Sequence, residues 1–223
     1  MNAEHSRQPA ALTKNGNGSK RMKLMLAIVG LLLGSGAPAI SQEPNSSGSD
    51  PRYTADGHLL FPEHYRDWVY LSSGFDMSYS PSMQSDRHNF DNVFVNPVAY
   101  QGFVATGHWP DGTVMVLEVR AARQHGSINR SGNFQGEPQG IEMHLRDSVR
   151  FGDRWVFASF DRSRTGKLIP QSADCYACHA AHAAVDTTFV QFYPTLLPIA
   201  QRLGTVSAAY LKESSEPDRA GGP

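Results

Sequence analysis

The sequence predicts an α+β fold in which an antiparallel β-sheet carries peripheral helices. Apolar Ile141, Met143 and Leu145 alternate with polar residues, which is typical of a strand with one buried face. Residues 113–119 and 155–160 are rich in β-branched and aromatic side chains and predict two further strands. An Asp-Gly pair directly before the first of these segments is a turn signal. Together the segments indicate a sheet of antiparallel strands.

The other predicted elements are one short strand and four helices. The strand covers residues 92–95, and the helices cover 62–71, 97–106, the region around 175–179, and 187–203. Asn96 followed by Pro97 has the N-cap and first-turn chemistry of a helix start. Pro194 and Pro198 should break or kink the last helix, because proline lacks the N–H that an interior helical turn needs.

The amino terminus has the order of a secretory signal peptide. Three basic residues within positions 20–23 precede an apolar run over 24–33, and small residues follow up to Ser41. The run is too short to span a bilayer, so we expect cleavage after Ser41 and no stable membrane anchor. Met22 is an alternative start, because residues 1–20 are polar and lack a packing pattern. The sequence therefore predicts a periplasmic or secreted protein.

The predicted organisation has four consecutive parts. They are a signal peptide over residues 1–41, a flexible lead-in over 42–54, one globular domain over 55–205 and a disordered tail over 206–223. The lead-in and the end of the tail are rich in Ser, Gly and Pro and poor in apolar residues, which disfavours a packed core. The domain itself has the usual size of a single folding unit.

The charge of the exported part argues against nucleic acid as a partner. The whole chain has 20 basic and 21 acidic residues. Without residues 1–41 the chain keeps 15 basic and 20 acidic residues, a net charge of about −5 with histidine neutral. No basic stripe is present that would hold a polyanion. The balance favours a domain that meets small ligands or basic redox partners.

Residues 175–179 read Cys-Tyr-Ala-Cys-His and contain both cysteines of the chain. Two thiols three residues apart with an adjacent histidine form the attachment motif of a c-type haem, in which the thiols bond to the two vinyl groups. We therefore expect one covalent haem c, attached near the C-terminus of the domain through Cys175 and Cys178. His179 is then the axial ligand of the iron.

Two other interpretations of the cysteine pair are weaker. A thioredoxin-like redox pair usually follows a strand in a βαβ unit, and no such unit is visible before residue 175. Structural zinc sites usually draw their ligands from separate segments, whereas here the two thiols, His179 and His182 fall within eight consecutive residues. The spacing favours haem over both.

The late position of the motif bears on the sixth ligand of the iron. A small electron-transfer cytochrome c has an early motif and a later methionine ligand, but no Met follows residue 179. The downstream candidates are His182 and Lys212, and the predicted strands exclude a four-helix cytochrome. The upstream methionines of the domain are Met77, Met83, Met115 and Met143. We interpret those on strands as core residues and expect a five-coordinate iron that is open to a small ligand.

A set of short motifs runs in order through the domain. They are Phe-Pro-Glu-His-Tyr-Arg-Asp-Trp at residues 61–68, Asp-Gly-Thr-Val at 111–114, Gly-Ile-Glu at 140–142, Asp-Ser at 147–148, the haem motif, and Phe-Val-Gln-Phe-Tyr-Pro at 189–194. Together they resemble the cytochrome P-460 family, which includes the cytochromes c′-beta. The resemblance implies a mostly antiparallel β fold, a homodimer and a five-coordinate haem. Some members oxidise hydroxylamine, and others bind nitric oxide or carbon monoxide.

One position departs from the hydroxylamine-oxidising members of that family. In those members a lysine on the strand after Asp-Gly-Thr-Val is bonded to the haem ring. The corresponding residue here is Leu117, and the lysines after residue 41 are Lys167 and Lys212, neither of them on that strand. The resemblance therefore implies a c′-beta-like member without the cross-link.

The resemblance also suggests residues for the distal side of the haem. Glu142 matches a carboxylate that acts near the distal face in the oxidising members, where it would accept a proton from a nitrogen substrate. Its alternative role is the polar face of a half-exposed strand. Leu117 and Phe90 are candidates for the wall of an apolar distal pocket, with ordinary core packing as the alternative.

Three functions stay open on the sequence alone. The first is the binding of a diatomic gas such as nitric oxide, favoured by Leu117 and the open sixth position. The second is an oxidoreductase that acts on hydroxylamine or nitric oxide, favoured by Glu142. The third is an electron-transfer cytochrome, which would need a sixth ligand or an exposed haem edge and a redox partner protein.

Overall fold

The structure is a computed structural model that describes residues 51–78, 87–161 and 164–216. The expected signal peptide, most of the expected lead-in and Met83 lie outside the described residues.

One antiparallel sheet organises the described part of the chain. Its seven strands are β1 (Leu59–Leu60), β2 (Val69–Phe75), β3 (Asn89–Val95), β4 (Val114–Arg123), β5 (Phe134–Arg146), β6 (Trp155–Phe160) and β7 (Thr165–Leu168). Strands β2 to β7 are neighbours in chain order, and the short β1 pairs with β7. Every pair is antiparallel. The predicted α+β class and the antiparallel sheet are therefore confirmed.

Five helices surround the sheet in the same ranges. They are α1 (Pro97–Thr106), α2 (Ser148–Phe151), α3 (Asp174–His182), α4 (Leu197–Leu203) and α5 (Ala208–Ser215). None of the helices in these ranges is long and apolar enough to cross a membrane. Helix α1 begins as predicted, but the Asn96 side chain accepts a hydrogen bond from the Val114 N–H at 2.9 Å and donates one to the Gly112 carbonyl. It therefore ties the start of α1 to β4 and does not cap the helix.

The sheet has a packed core on each face. Met115 on β4 belongs to the core that includes Phe103 of α1 and Ala200 of α4. The neighbouring Val114 faces the other way and packs in a second core with Tyr65. This division follows from the pleat, which sends successive side chains to opposite faces of a strand. The haem motif lies on the α1 and α4 side, because the core there includes Ala184 and Val185, which directly follow α3.

The helix predicted over residues 62–71 is wrong. The chain makes a short 3-10 turn at Tyr65–Asp67 and then enters β2. The Tyr65 hydroxyl donates a hydrogen bond of 2.8 Å to the carboxylate of Glu118, which is buried between β3 and β5. The residues that follow pair with β3, so tertiary contacts override the local helical signal.

The helix predicted over 187–203 is wrong over its first part, because only Leu197–Leu203 form an α-helix, and the predicted break falls near the prolines. A 3-10 turn at Val190–Phe192 precedes Pro194, and α4 has Pro198 in its first turn.

The predicted disordered tail over 206–223 needs correction, because α5 lies within it. The hydroxyl of Ser207 caps α5 by accepting from the Tyr210 N–H at 3.1 Å and also donates to the Ala183 carbonyl at 2.8 Å. This serine therefore ties α5 to the end of α3.

Candidate haem site

A cavity of about 1660 Å³ is bounded by the sheet on one side and by α3 and the segment after it on the other. The sheet contributes Gly74, Asp91, Val93, Leu117, Glu142, His144 and Phe157, and the other wall includes Cys175, Cys178, His179, Phe189 and Tyr193. The volume exceeds the roughly 300–1,000 Å³ of most small-molecule sites. The cavity therefore collects both cysteines, His179, Leu117 and Glu142, which are separated by up to 62 positions in the chain.

The strand register explains why Leu117 and Glu142 meet. Leu117 pairs with Val93 on one side and with Glu142 on the other. Because paired residues in a sheet point to the same face, the three side chains form one row across β3, β4 and β5. The expected pocket wall and the expected carboxylate are thus direct neighbours.

Phe90 is not part of the cavity wall, and its proposed role is corrected. It is paired with Phe75, and the two ring centroids are 5.0 Å apart. On β3 it lies an odd number of residues from Asp91 and Val93, so the pleat directs it to the opposite face. The aromatic lining comes from Phe157 and from residues after α3 that include Phe189.

The two cysteines lie in helix α3, three residues apart, on the side that lines the cavity. Residues at this spacing share one helical face. Both are free and half-buried. Burial raises the pKa of the Cys175 thiol, so this thiol is neutral near pH 7. The helix therefore presents two thiols side by side to one cavity, as the motif predicts.

His179 is held in one tautomer by the backbone. Its Nδ1 lies 2.7 Å from the Thr187 carbonyl oxygen, so Nδ1–H donates and Nε2 keeps its lone pair. Burial lowers the pKa of His179, which keeps the ring neutral near pH 7. The ring lies between Phe189 at 4.1 Å and Phe157 at 4.7 Å, measured between centroids. A neutral imidazole fixed through Nδ1 is the usual arrangement of a histidine that binds a metal.

The carbonyl that orients His179 belongs to a strained turn. Val185 and Thr188 exchange two backbone hydrogen bonds around Asp186 and Thr187, whose φ angles are +46° and +59°. Two positive φ angles are typical of a type I′ turn, which favours Asn or Gly. A β-branched residue in this region is an outlier that costs on the order of 1–3 kcal/mol. The Thr187 hydroxyl is also buried without a hydrogen-bond partner, so the strain lies at the residue whose carbonyl orients His179.

His144 is a site residue that the sequence did not indicate as one. It is buried and stacks on Phe157 at 4.0 Å between centroids, and the His179 ring lies 5.1 Å away. Its Nε2 is buried without a hydrogen-bond partner, and burial lowers its pKa well below the usual value. Alternation with apolar neighbours predicts an exposed polar face for residues 142–146, but that face lines the cavity. The signal available in the sequence was the two-residue spacing of Glu142 and His144, which places both side chains on one face of the strand.

Glu142, Asp91 and Asp76 are three of the four carboxyl groups that line the cavity among the described residues. Burial raises the pKa of Glu142, and the charge of Asp91 raises it further. The Glu142 side chain is open to the cavity, but the surrounding walls reduce its solvation. This loss of solvation raises the pKa of Glu142 more than the charge of Asp91 does. Burial and the charge of Asp76 likewise raise the pKa of Asp91. Asp76 itself is paired with the ring of His88. Glu142 is therefore suited to stay protonated at a pH above the ordinary titration range of a glutamate.

The candidate sixth ligands differ in their positions. Met115 and Met143 are buried core residues, as the sequence suggested, and both also belong to the cavity lining. His182 pairs with Glu213 at 3.2 Å on the surface. Met77 lines the cavity, and its thioether packs so closely on Gly74 that a Cβ at residue 74 would clash with the sulfur. Throughout residues 51–78, 87–161 and 164–216, no three His, Cys, Asp or Glu residues are grouped to hold a metal ion.

Comparison with known families agrees with these features. The family model of cytochrome P460 matches residues 62–190, which is more than half of the chain. The chain belongs to the cytochrome P460 family. A comparison with curated proteins finds no match. Membership implies that this cytochrome P460 family member is a haem cytochrome, and it confirms the resemblance seen in the motifs.

The residues present fit a haem in this family member. The cavity is larger than most small-molecule sites, and aliphatic and aromatic side chains contribute much of its lining. His179 offers a free imidazole nitrogen, and two thiols lie one and four residues earlier in the same helix.

We predict that Thr187→Gly raises the free energy of unfolding by about 1 kcal/mol, because glycine adopts a positive φ without strain. The bond to His179 uses the backbone carbonyl, so it should persist. Urea unfolding measures the change. Thr187→Ala is the matched control, because it removes the buried hydroxyl but keeps a side chain in the left-handed region. A glycine variant no more stable than the alanine variant would contradict the assignment of strain.

Proposed function

We propose that this chain is an exported cytochrome with one covalent haem c, whose five-coordinate iron binds a small diatomic ligand such as nitric oxide. The observation that carries the proposal is the composition of the cavity. One wall presents Cys175, Cys178 and His179, and the facing sheet presents Leu117 at the position where a lysine would form the cross-link. Export is supported by the signal-like order of residues 1–41.

The α3 wall supplies the groups that would hold the haem. Cys175 and Cys178 would form thioether bonds, and His179 would bind the iron through Nε2, since Nδ1 is engaged with the Thr187 carbonyl. A bound haem supplies an iron with one coordination position left for a small ligand. The Phe157 and Phe189 rings contact the imidazole edge-on and at a tilt, and these contacts restrict its rotation.

The sheet wall supplies the environment of the ligand. Leu117 and Val93 present apolar surface, which favours a neutral diatomic molecule over a charged one because burying a charge is costly. Glu142, the direct neighbour of Leu117, has a raised pKa and so keeps a proton to a higher pH than an exposed glutamate. A protonated carboxyl group can donate a hydrogen bond to a bound ligand.

A second candidate function is the oxidation of hydroxylamine or nitric oxide. It is favoured by Glu142 and Asp91, two carboxyl groups on the same face of the sheet that are close enough to influence each other. Glu142 would accept a proton from the nitrogen substrate. Leu117 argues against this function, because an aliphatic side chain cannot form the cross-link found in the oxidising relatives.

A third candidate is electron transfer, and Met77 is the residue that favours it. Its thioether lies at the cavity, held against Gly74. A methionine on the iron would close the sixth position and remove gas binding. A homodimer and a redox partner protein also belong to the proposal, on the family resemblance alone.

We predict covalent haem attachment through the two cysteines. In the exported protein, haem staining should survive a denaturing gel, because thioether bonds do not dissociate. The double variant Cys175→Ala, Cys178→Ala should lose the stain, and His182→Ala, which alters the surface histidine of the same helix, should keep it. Stain retained by the double variant would show that the attachment is elsewhere.

We predict a five-coordinate iron with His179 as the one strong protein ligand. The ferric protein should be high-spin, and carbon monoxide should bind the ferrous form with a change in the optical spectrum. Met77→Leu should leave both spectra unchanged, since leucine keeps the volume but has no ligating sulfur. A low-spin ferrous wild type whose spectrum does not change with carbon monoxide, together with a Met77→Leu variant whose spectrum does change, would favour the electron carrier.

We predict weak or no hydroxylamine turnover by the wild type. Leu117 has no nucleophile for the cross-link, and a proton acceptor alone contributes on the order of a hundred- to ten-thousand-fold. Product formation by the wild type, Glu142→Gln and Leu117→Lys would be measured side by side. Repeated turnover by the wild type that falls by about that factor in Glu142→Gln would make the oxidoreductase the leading function.

A further inference from the structure

Tyr176 lies between the two cysteines, at a position where the haem motif itself asks for no particular side chain. Its hydroxyl reaches the sheet. It accepts a hydrogen bond from the Phe157 N–H at 2.9 Å and donates one to the Ile169 carbonyl at 3.1 Å. The Tyr176 hydroxyl on α3 therefore makes one hydrogen bond to the backbone of β6 and one to the backbone of the residue that follows β7.

The hydroxyl occupies the place of a sheet hydrogen bond. Ala158 of β6 is paired with Leu168 of β7, so Phe157 and Ile169 are the next pair along the ladder. The Ile169 N–H donates directly to the Phe157 carbonyl at 2.8 Å. In an antiparallel pair of this kind the second bond usually runs directly in the opposite direction. Here the tyrosine hydroxyl bridges that second donor and acceptor, which fixes α3 to one register of the sheet.

The tyrosine ring also connects to the axial histidine through one intermediate residue. The rings of Tyr176 and Phe157 meet edge to face with centroids 4.8 Å apart. Phe157 in turn contacts the His179 ring at 4.7 Å and stacks on His144 at 4.0 Å. Phe189 also contacts the His179 ring, with centroids 4.1 Å apart. The position of Phe157 therefore depends on Tyr176 through both its backbone N–H and its ring.

We propose that Tyr176 is a positioning residue that sets the orientation of the axial imidazole by locking α3 and Phe157 to the sheet. This inference rests on the proposed function, because it requires His179 to bind the haem iron. Tyr176 does not touch the iron site itself. It acts on the rotation of α3 about its axis and on the placement of the ring that bounds His179.

The test is Tyr176→Phe in the haem-loaded protein, which keeps the ring and removes both hydrogen bonds of the hydroxyl. The iron–histidine stretching band of the ferrous form, measured by resonance Raman spectroscopy, should shift or broaden relative to wild type. Tyr53→Phe is the matched control. It removes a hydroxyl that donates a hydrogen bond of 2.7 Å to Asp147, and neither residue lines the cavity. This control should leave the band unchanged even if it lowers the stability.

Phe157→Leu keeps the polar bridge, which uses the backbone at residue 157, and removes the intermediate ring. It should shift the same band, and it replaces Tyr176→Phe as the test if the latter does not accumulate as folded protein. Wild-type protein with covalent haem and an unshifted band in both variants would overturn the positioning role and leave the proposed function intact. Wild-type protein without covalent haem would overturn the proposed function, and with it this inference.

Discussion

The pleat of the central strands is the constraint on which the site depends. Side chains two residues apart on β4 and β5 share a face, so Leu117 and Met115 point to the same side as Glu142 and His144. A shift of one residue in either strand would exchange this set with the side chains of the opposite core. The same pleat that packs Val114 with Tyr65 therefore also composes the cavity wall.

The second feature of the site is a fixed His179 imidazole, which the chain holds with local strain and aromatic contacts. The Thr187 carbonyl holds Nδ1 of His179 from a turn with two positive φ angles. Asp186, the other residue of that turn, accepts a hydrogen bond from the Trp109 N–H at 2.9 Å, which anchors the turn to the core next to α1. Strain at such a position is maintained because the surrounding packing leaves the turn no alternative.

Much of the fold could be predicted from local patterns. Strand β6 and helix α1 have the predicted bounds, because the β-branched and aromatic run of one and the Asn-Pro start of the other are strong local signals. Residues 62–71 were predicted as a helix and instead enter β2, because pairing with β3 outweighs a weak helical pattern. Helix α5 was missed for a similar reason: its cap, Ser207, is held by a contact with Ala183.

The family, the haem motif and the absence of lysine at residue 117 can be read from the amino-acid sequence, because they depend on residue identity and spacing alone. That His144 lines the cavity and Phe90 does not is visible only in the folded chain, since the face of a strand is defined by its neighbours and not by polarity. The folded chain also shows the partners of the Tyr176 hydroxyl. A hydroxyl that bridges two strands is invisible in the chain, because its partners at residues 157 and 169 are backbone groups that every residue carries.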